Sequence, residues 1–316
     1  MLVLALLACS NDFVISNKPD VVVVTDDTGG DPEVPVDTAG EPTEPTEGDT
    51  TTTGATETVP DDTDPTVPDE TETDPPDEDD CTDTSDLVYV IARDDGALYT
   101  FDPAALAFTR LGRVDCGTSQ TPASMAVSRD GVAYVRYGDN TLYAVDLATL
   151  GCSRTAYSER STRFGDFGMG YATDSAETWR DRLYVASADT LAVLDTSSWA
   201  LTTVGALSSQ SELTGNADGE LWAFLPLETP ARLVQLDKDD ARTLDVLRLT
   251  GFPDPSDLDT FAFATWNGSF WLFVRVSGMG ESTDVYEVTA DGAMHKVLED
   301  VGFDVVGAGV STCAPS

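Results

Sequence analysis

The sequence predicts an all-β domain: repeated units of four short strands, set in a ring that the last strand of the chain closes. Three observations predict it. From Leu87 onward an aromatic residue in apolar surroundings recurs in "LVYVIA", "VAYVRY", "RLYVAS", "ELWAFL" and "SFWLFV", placing Tyr89, Tyr134, Tyr184, Trp222 and Trp271 at spacings of 45, 50, 38 and 49 residues. A second apolar segment follows each: "LYTFD", "LYAVD", "LAVLD", "LVQLD" and "VYEVT". A spare strand, "DVVGAGVSTC", is left over at the C-terminus. Short β-branched and aromatic runs bounded by Gly, Asp and Asn read as strands, and a period of about 40–50 residues is that of propeller blades.

Each element has a local reason. Four of the second segments end in Asp102, Asp146, Asp195 and Asp237, and the fifth in Thr289. A carboxylate there accepts backbone N–H groups two or three residues on and starts the turn, so these aspartates are expected to be structural. The inner strands are "MAVSRDG", "GMGYATD", "ELTGNADG" and "FAFATWNG"; three of them run into Asp-Gly or Asn-Gly at 130–131, 218–219 and 267–268, which are tight-hairpin signals. The outer strands are "AFTRLG", "CSRTAY", "LTTVGAL", "TLDVLRL" and "MHKVLED". The first blade has no inner strand of its own. If the C-terminal segment packs inside "LVYVIA", five blades close without an open edge, and a monomer is expected.

The cysteines fit this closure. Cys81 precedes the first strand and Cys313 follows the last, so a disulfide between them takes the place of the missing hairpin; Cys116 and Cys152 remain as the second pair. No Cys-x-x-Cys or Cys/His cluster suggests zinc, and no metal or cofactor is expected. On "FGMGYATD", the repeated "LY-x-F/V-D" and the closing "VGAGVSTC", residues 81–316 resemble propeller-like repeat domains carried by bacterial lipoproteins, a resemblance that implies no activity.

The start of the chain reads as an address. Residues 1–8 are all apolar and the run stops at Cys9; eight residues make about 12 Å of helix, too short to span a bilayer. Leu6-Leu7-Ala8-Cys9 resembles a bacterial lipobox, which implies removal of residues 1–8 as a signal peptide and lipidation of Cys9. The opening Met1-Leu2-Val3 lacks the basic residues of a signal peptide, as an initiator placed too far downstream would explain. Ser10 after the lipidated cysteine resembles an outer-membrane sorting signal. The expected location is the cell envelope, with the membrane as a partner through two acyl chains.

Residues 9–80 form the expected tether. Residues 10–86 hold 25 acids and one Lys, a net charge of −24, against −16 for residues 87–316. Thr, Pro, Glu and Asp bury little and repel one another, so this segment is expected to be disordered, with a reach from about 50 Å as a coil to about 240 Å fully extended. Charge of this sign repels phosphate backbones and excludes nucleic-acid binding as an expectation.

Catalytic chemistry finds little support. The single histidine, His295, is expected on an outer strand, far from a central channel, which disfavours Ser-His-Asp and Cys-His mechanisms. Glycoside cleavage needs only two carboxyl groups about 5–10 Å apart, and the candidates at inner-strand ends are Asp166, Asp174, Glu212, Asp259 and Asp304. Nothing in the sequence selects a pair. Trp266, beside the Asn-Gly turn, is the aromatic residue expected to be most available to a ligand. The function expected is a displayed, non-enzymatic module binding a protein or glycan. The alternatives are a polysaccharide-acting glycosidase and a structural envelope protein without a ligand.

Overall fold

The computed structural model describes residues 81, 87–158, 164–176 and 180–316. The signal segment 1–8, Cys9 and nearly all of the acidic segment lie outside the described residues. The described chain forms five four-stranded antiparallel sheets, and these are the blades of a five-bladed β-propeller. Strands β1 (Val88–Ala92), β2 (Ala97–Asp102) and β3 (Ala107–Arg113) belong to blade I, whose inner strand is β20 (Val305–Gly309). Blade II is β4 (Pro122–Val127), β5 (Val132–Tyr137), β6 (Leu142–Asp146) and β7 (Cys152–Arg154). Blade III is β8 (Gly168–Thr173), β9 (Asp181–Ala186), β10 (Thr190–Leu194) and β11 (Leu201–Ala206). Blade IV is β12 (Glu212–Gly215), β13 (Leu221–Leu225), β14 (Arg232–Leu236) and β15 (Thr243–Arg248). Blade V is β16 (Leu258–Trp266), β17 (Ser269–Val276), β18 (Met279–Val288) and β19 (Met294–Leu298).

The closing strand lies where the repeat pattern requires it. β20 pairs with β1 in the register Tyr89 to Gly309, Val90 to Ala308 and Ile91 to Gly307. Cys81 and Cys313 are joined, as are Cys116 and Cys152. In the Asn267-Gly268 hairpin both residues take left-handed φ values of 49° and 72°, the geometry that a two-residue loop demands. Blade III departs from the tight-hairpin pattern, because residues 174–180 intervene between β8 and β9.

The aspartates behave as turn initiators. Asp102 accepts the N–H groups of Ala104 and Ala105, Asp146 that of Thr149, Asp195 those of Ser197 and Ser198, and Asp237 that of Asp239. Four residues after each stands a left-handed residue that is not glycine: Leu106, Leu150, Trp199 and Ala241.

The apolar residues divide into five clusters, one at each junction between blades. Tyr89, Ile91, Met125 and Val135 fill the I–II junction; Ala126, Phe167 and Leu183 the II–III junction; and Ala172, Leu213 and Leu236 the III–IV junction. Trp222, Phe224 and Phe263 fill the IV–V junction, and Phe101, Trp271 and Phe273 the V–I junction. Aromatic side chains provide the area this wedge-shaped space requires.

The axis is lined by small residues. A Cβ on Gly170 would stand 2.6 Å from the Leu213 carbonyl, and one on Gly307 would stand 2.8 Å from the Met125 nitrogen. The Thr265 N–H donates to Thr214 Oγ1 at 3.1 Å, linking the inner strands of blades V and IV. Every residue of β8, β12 and β20 is buried, so the ring is filled along its middle.

Candidate functional site

The inner strands all start at the same end of the axis, and there the ring opens into a pocket of about 400 Å³. All five blades reach it. Arg93 and Val306 come from blade I, Pro122, Arg136 and Asn140 from blade II, Asp166 from the entry to blade III, Gln210 and Glu212 from blade IV, and Asp259, Thr260 and Phe261 from blade V. The chain folds this way locally because each second strand runs antiparallel to its inner strand. The ends of β1, β5 and β17 therefore return to the mouth, carrying Arg93, Arg136 and Arg275.

Glu212 occupies the floor. Its side chain crosses from blade IV past Gly168 to blade II, where Ser124 Oγ donates to its Oε2 at 2.9 Å. The residue is 6% exposed. Burial pushes its carboxyl up to about 8, and the negative charge of Asp166 adds to this, while the Ser124 hydrogen bond and the Arg136 charge pull the other way. At neutral pH the group is mainly a carboxylic acid, able to donate as well as accept.

Arg136, 5% exposed, is fixed beside it. Its Nε donates to the Phe167 carbonyl at 3.0 Å, its Nη2 lies 2.5 Å from Asp166 Oδ1, and the guanidinium sits over the Phe167 ring at 5.5 Å. Across the mouth, Arg93 makes a two-pronged contact with Asp259 at 3.1 and 2.8 Å and reaches Asp304 at 2.7 Å. Arg275 also pairs with Asp304 and lies 3.4 Å from Asp259. The Arg93 guanidinium holds the Asp259 carboxyl below its ordinary range. Thr260 is 8% exposed, lines the pocket, and its hydroxyl has no hydrogen-bond partner.

Of the carboxyl groups singled out in the sequence, the structure gathers Asp166, Glu212, Asp259 and Asp304 at this mouth. Asp174 stands at the far end of β8, bound to Arg182. Trp266 is also remote: it ends β16, six residues from Thr260 or about 20 Å of strand, and is half-buried against the V–I cluster. His295 is exposed on β19. The arginines and Thr260 were not singled out in the sequence. The available signal was an Arg next to the end of the second strand in three of five repeats, in "IAR", "YVR" and "FVR", in a chain with only 17 Lys and Arg residues.

Among the described residues no three His, Cys, Asp or Glu side chains gather as a metal site, and no helix is long and apolar enough to cross a membrane.

No family model and no curated protein matches the sequence. Similar solved structures include a Bacteroides caccae protein of unknown function, at 8% identity and a TM-score of 0.40, covering 71% of this chain and 98% of that one. An exo-β-1,3-galactanase from Phanerochaete chrysosporium is similar at 10% identity and a TM-score of 0.42, covering 57% of this chain and 49% of the galactanase. A nidogen/laminin complex is similar at 10% identity and a TM-score of 0.43 over 71% of this chain and 97% of that one.

Proposed function

We propose that this chain is a cell-envelope lipoprotein that displays a ligand-binding propeller, held by lipid at Cys9 and lifted from the membrane by its acidic segment. The observation that carries the binding reading is the axial pocket. It is concave, reached by all five blades, and set with convergent donors and acceptors on a closed ring. Two disulfides suit an oxidising compartment, which supports a place outside the cytoplasm. The ligand class favoured is a glycan, because a saccharide is recognised by such mixed polar groups beside an apolar wall, here Phe261 and Val306.

Glu212 favours a second reading, a glycosidase. A buried carboxylic acid that keeps its proton at neutral pH is what a general acid requires. Against it, the neighbouring carboxylates Asp166, Asp259 and Asp304 are each engaged in an ion pair with a guanidinium.

Calorimetric titration of the full chain against a glycan panel, run beside a chromogenic glycoside panel, tests both. Binding without turnover supports the module. Turnover that disappears in Glu212→Gln supports the enzyme, and neither signal in any arm refutes the pocket as a glycan site. For the anchor, palmitate labelling lost in Cys9→Ala is expected, and labelling that persists refutes lipidation there.

A further inference from the structure

We infer that the axial pocket selects an uncharged polyhydroxylated unit, one or two neutral sugar rings, over acidic or amino sugars. This rests on the glycan-binding reading and makes it specific.

The argument begins with charge. Three guanidiniums (Arg93, Arg136, Arg275) face three carboxylates (Asp166, Asp259, Asp304), and each is already paired with a group of opposite sign. The paired charges cancel within a chain of net charge −40, and burial favours the neutral form of Glu212, the seventh titratable group. An incoming carboxylate or ammonium would lose its water without gaining an unpaired counterion, or would have to break an existing pair, and both are costly.

A hydroxyl meets neither penalty. It donates and accepts together, so it can bind alongside an ion pair, accepting from a guanidinium N–H and donating to a carboxylate lone pair, and leave the pair intact. Thr260 also lines the pocket, and its hydroxyl is buried without a hydrogen-bond partner, which is costly unless something completes it. Size agrees as well, since about 400 Å³ falls near the lower end of the roughly 300–1,000 Å³ of small-ligand pockets. Phe261, Pro122, Ala123 and Val306 give the C–H face of a ring an apolar wall.

The test uses the full chain and ligand-observed NMR with calorimetry at pH 6.5. The probes are methyl hexosides and neutral disaccharides, each set against the matching uronic acid and 2-amino sugar at constant ionic strength. The expected result is that a neutral probe binds at least about tenfold more tightly than its charged counterparts, a difference of one hydrogen-bonded pair. Asp259→Asn, which leaves the pocket one positive charge in excess, is expected to raise uronate affinity about tenfold. Should that variant fail to fold, Thr260→Val keeps the side-chain shape and is expected to weaken the neutral probe about fivefold. A uronate lost in Arg136→Met, or an amino sugar lost in Asp259→Asn, that binds the wild-type chain more tightly than its neutral counterpart overturns the selectivity and leaves the pocket as the binding site. If no saccharide binds and the variants change nothing, the glycan-binding reading falls with it.

Discussion

Cys81 and Cys313 are joined across 232 residues, with their Cα atoms 5.8 Å apart, at the one place where the ring has no chain connection between an inner strand and its neighbour. The bond does for blade I what the Asn267-Gly268 turn does for blade V. Loop-closure entropy assigns this bridge about 5 kcal/mol, against about 4 kcal/mol for Cys116–Cys152, which closes only 36 residues. Cys313→Ser is therefore expected to lower the urea midpoint more than Cys152→Ser. The opposite order would mean that β20 holds its place without the covalent link.

Glu212 makes stability depend on pH in a definite direction. Its folded carboxyl titrates at about 8 and its unfolded carboxyl near 4.5, so between these values the folded chain binds one more proton than the unfolded one. The contribution is full below the unfolded value and is lost as pH rises through the window, by about 1.4 kcal/mol per pH unit. Glu212→Gln, uncharged throughout, is expected to flatten this slope and to be more stable than the wild type at pH 8. Equal slopes in the two proteins across pH 5–8 would show that Glu212 is ionised in the folded state.

Arg136 tests how much the mouth depends on a buried guanidinium. Arg136→Met removes the donor to the Phe167 carbonyl and leaves Asp166 without its cation, while keeping the stem volume. A loss of about 2–4 kcal/mol in chemical unfolding is expected. Arg136→Lys should recover only part of it, because one ammonium cannot reproduce both contacts in the plane of the fork. Full recovery by lysine would reduce the role to simple charge.

The ring has no room to widen. A methyl group on Gly168 would meet the Ser211 carbonyl at 2.2 Å, whereas one on Gly138 would find its nearest neighbour at 3.7 Å. Gly168→Ala is expected to cost about 3 kcal/mol or more by overpacking against backbone, and Gly138→Ala less than about 1 kcal/mol. Comparable melting temperatures for the two would show that the inner strands can separate.

The turns after the aspartates carry strain that glycine would relieve. Leu106 is exposed and left-handed, at φ 50°. Leu106→Gly is expected to leave stability unchanged or raise it by up to about 1 kcal/mol, while Leu106→Val lowers it. A loss with glycine as large as with valine would contradict the left-handed assignment.

Repetition made the architecture legible. Because each blade must present an aromatic wedge to its neighbour and end a strand in a turn, the same chemistry recurs at Tyr89, Tyr134, Tyr184, Trp222 and Trp271, and at the four aspartates. The spare C-terminal strand and the positions of Cys81 and Cys313 mark where the ring closes. The site was legible only as a set of carboxyl groups. Asp174 and Glu212 look alike in sequence, yet one ends an inner strand and the other begins one, about the length of a strand apart along the axis.

What the residues determined by themselves was the unit: its strands, turns, number and closure, all governed by local periodicity and chain ends. What the tertiary structure alone decided was the pocket. Arg93 and Asp259 are 166 residues apart, and Ser124 and Glu212 are 88 apart; only closure of the five blades about one axis brings them within hydrogen-bond reach. Only that closure removes water from Glu212 and so sets its protonation state, because desolvation is a property of the surroundings and not of the sequence position.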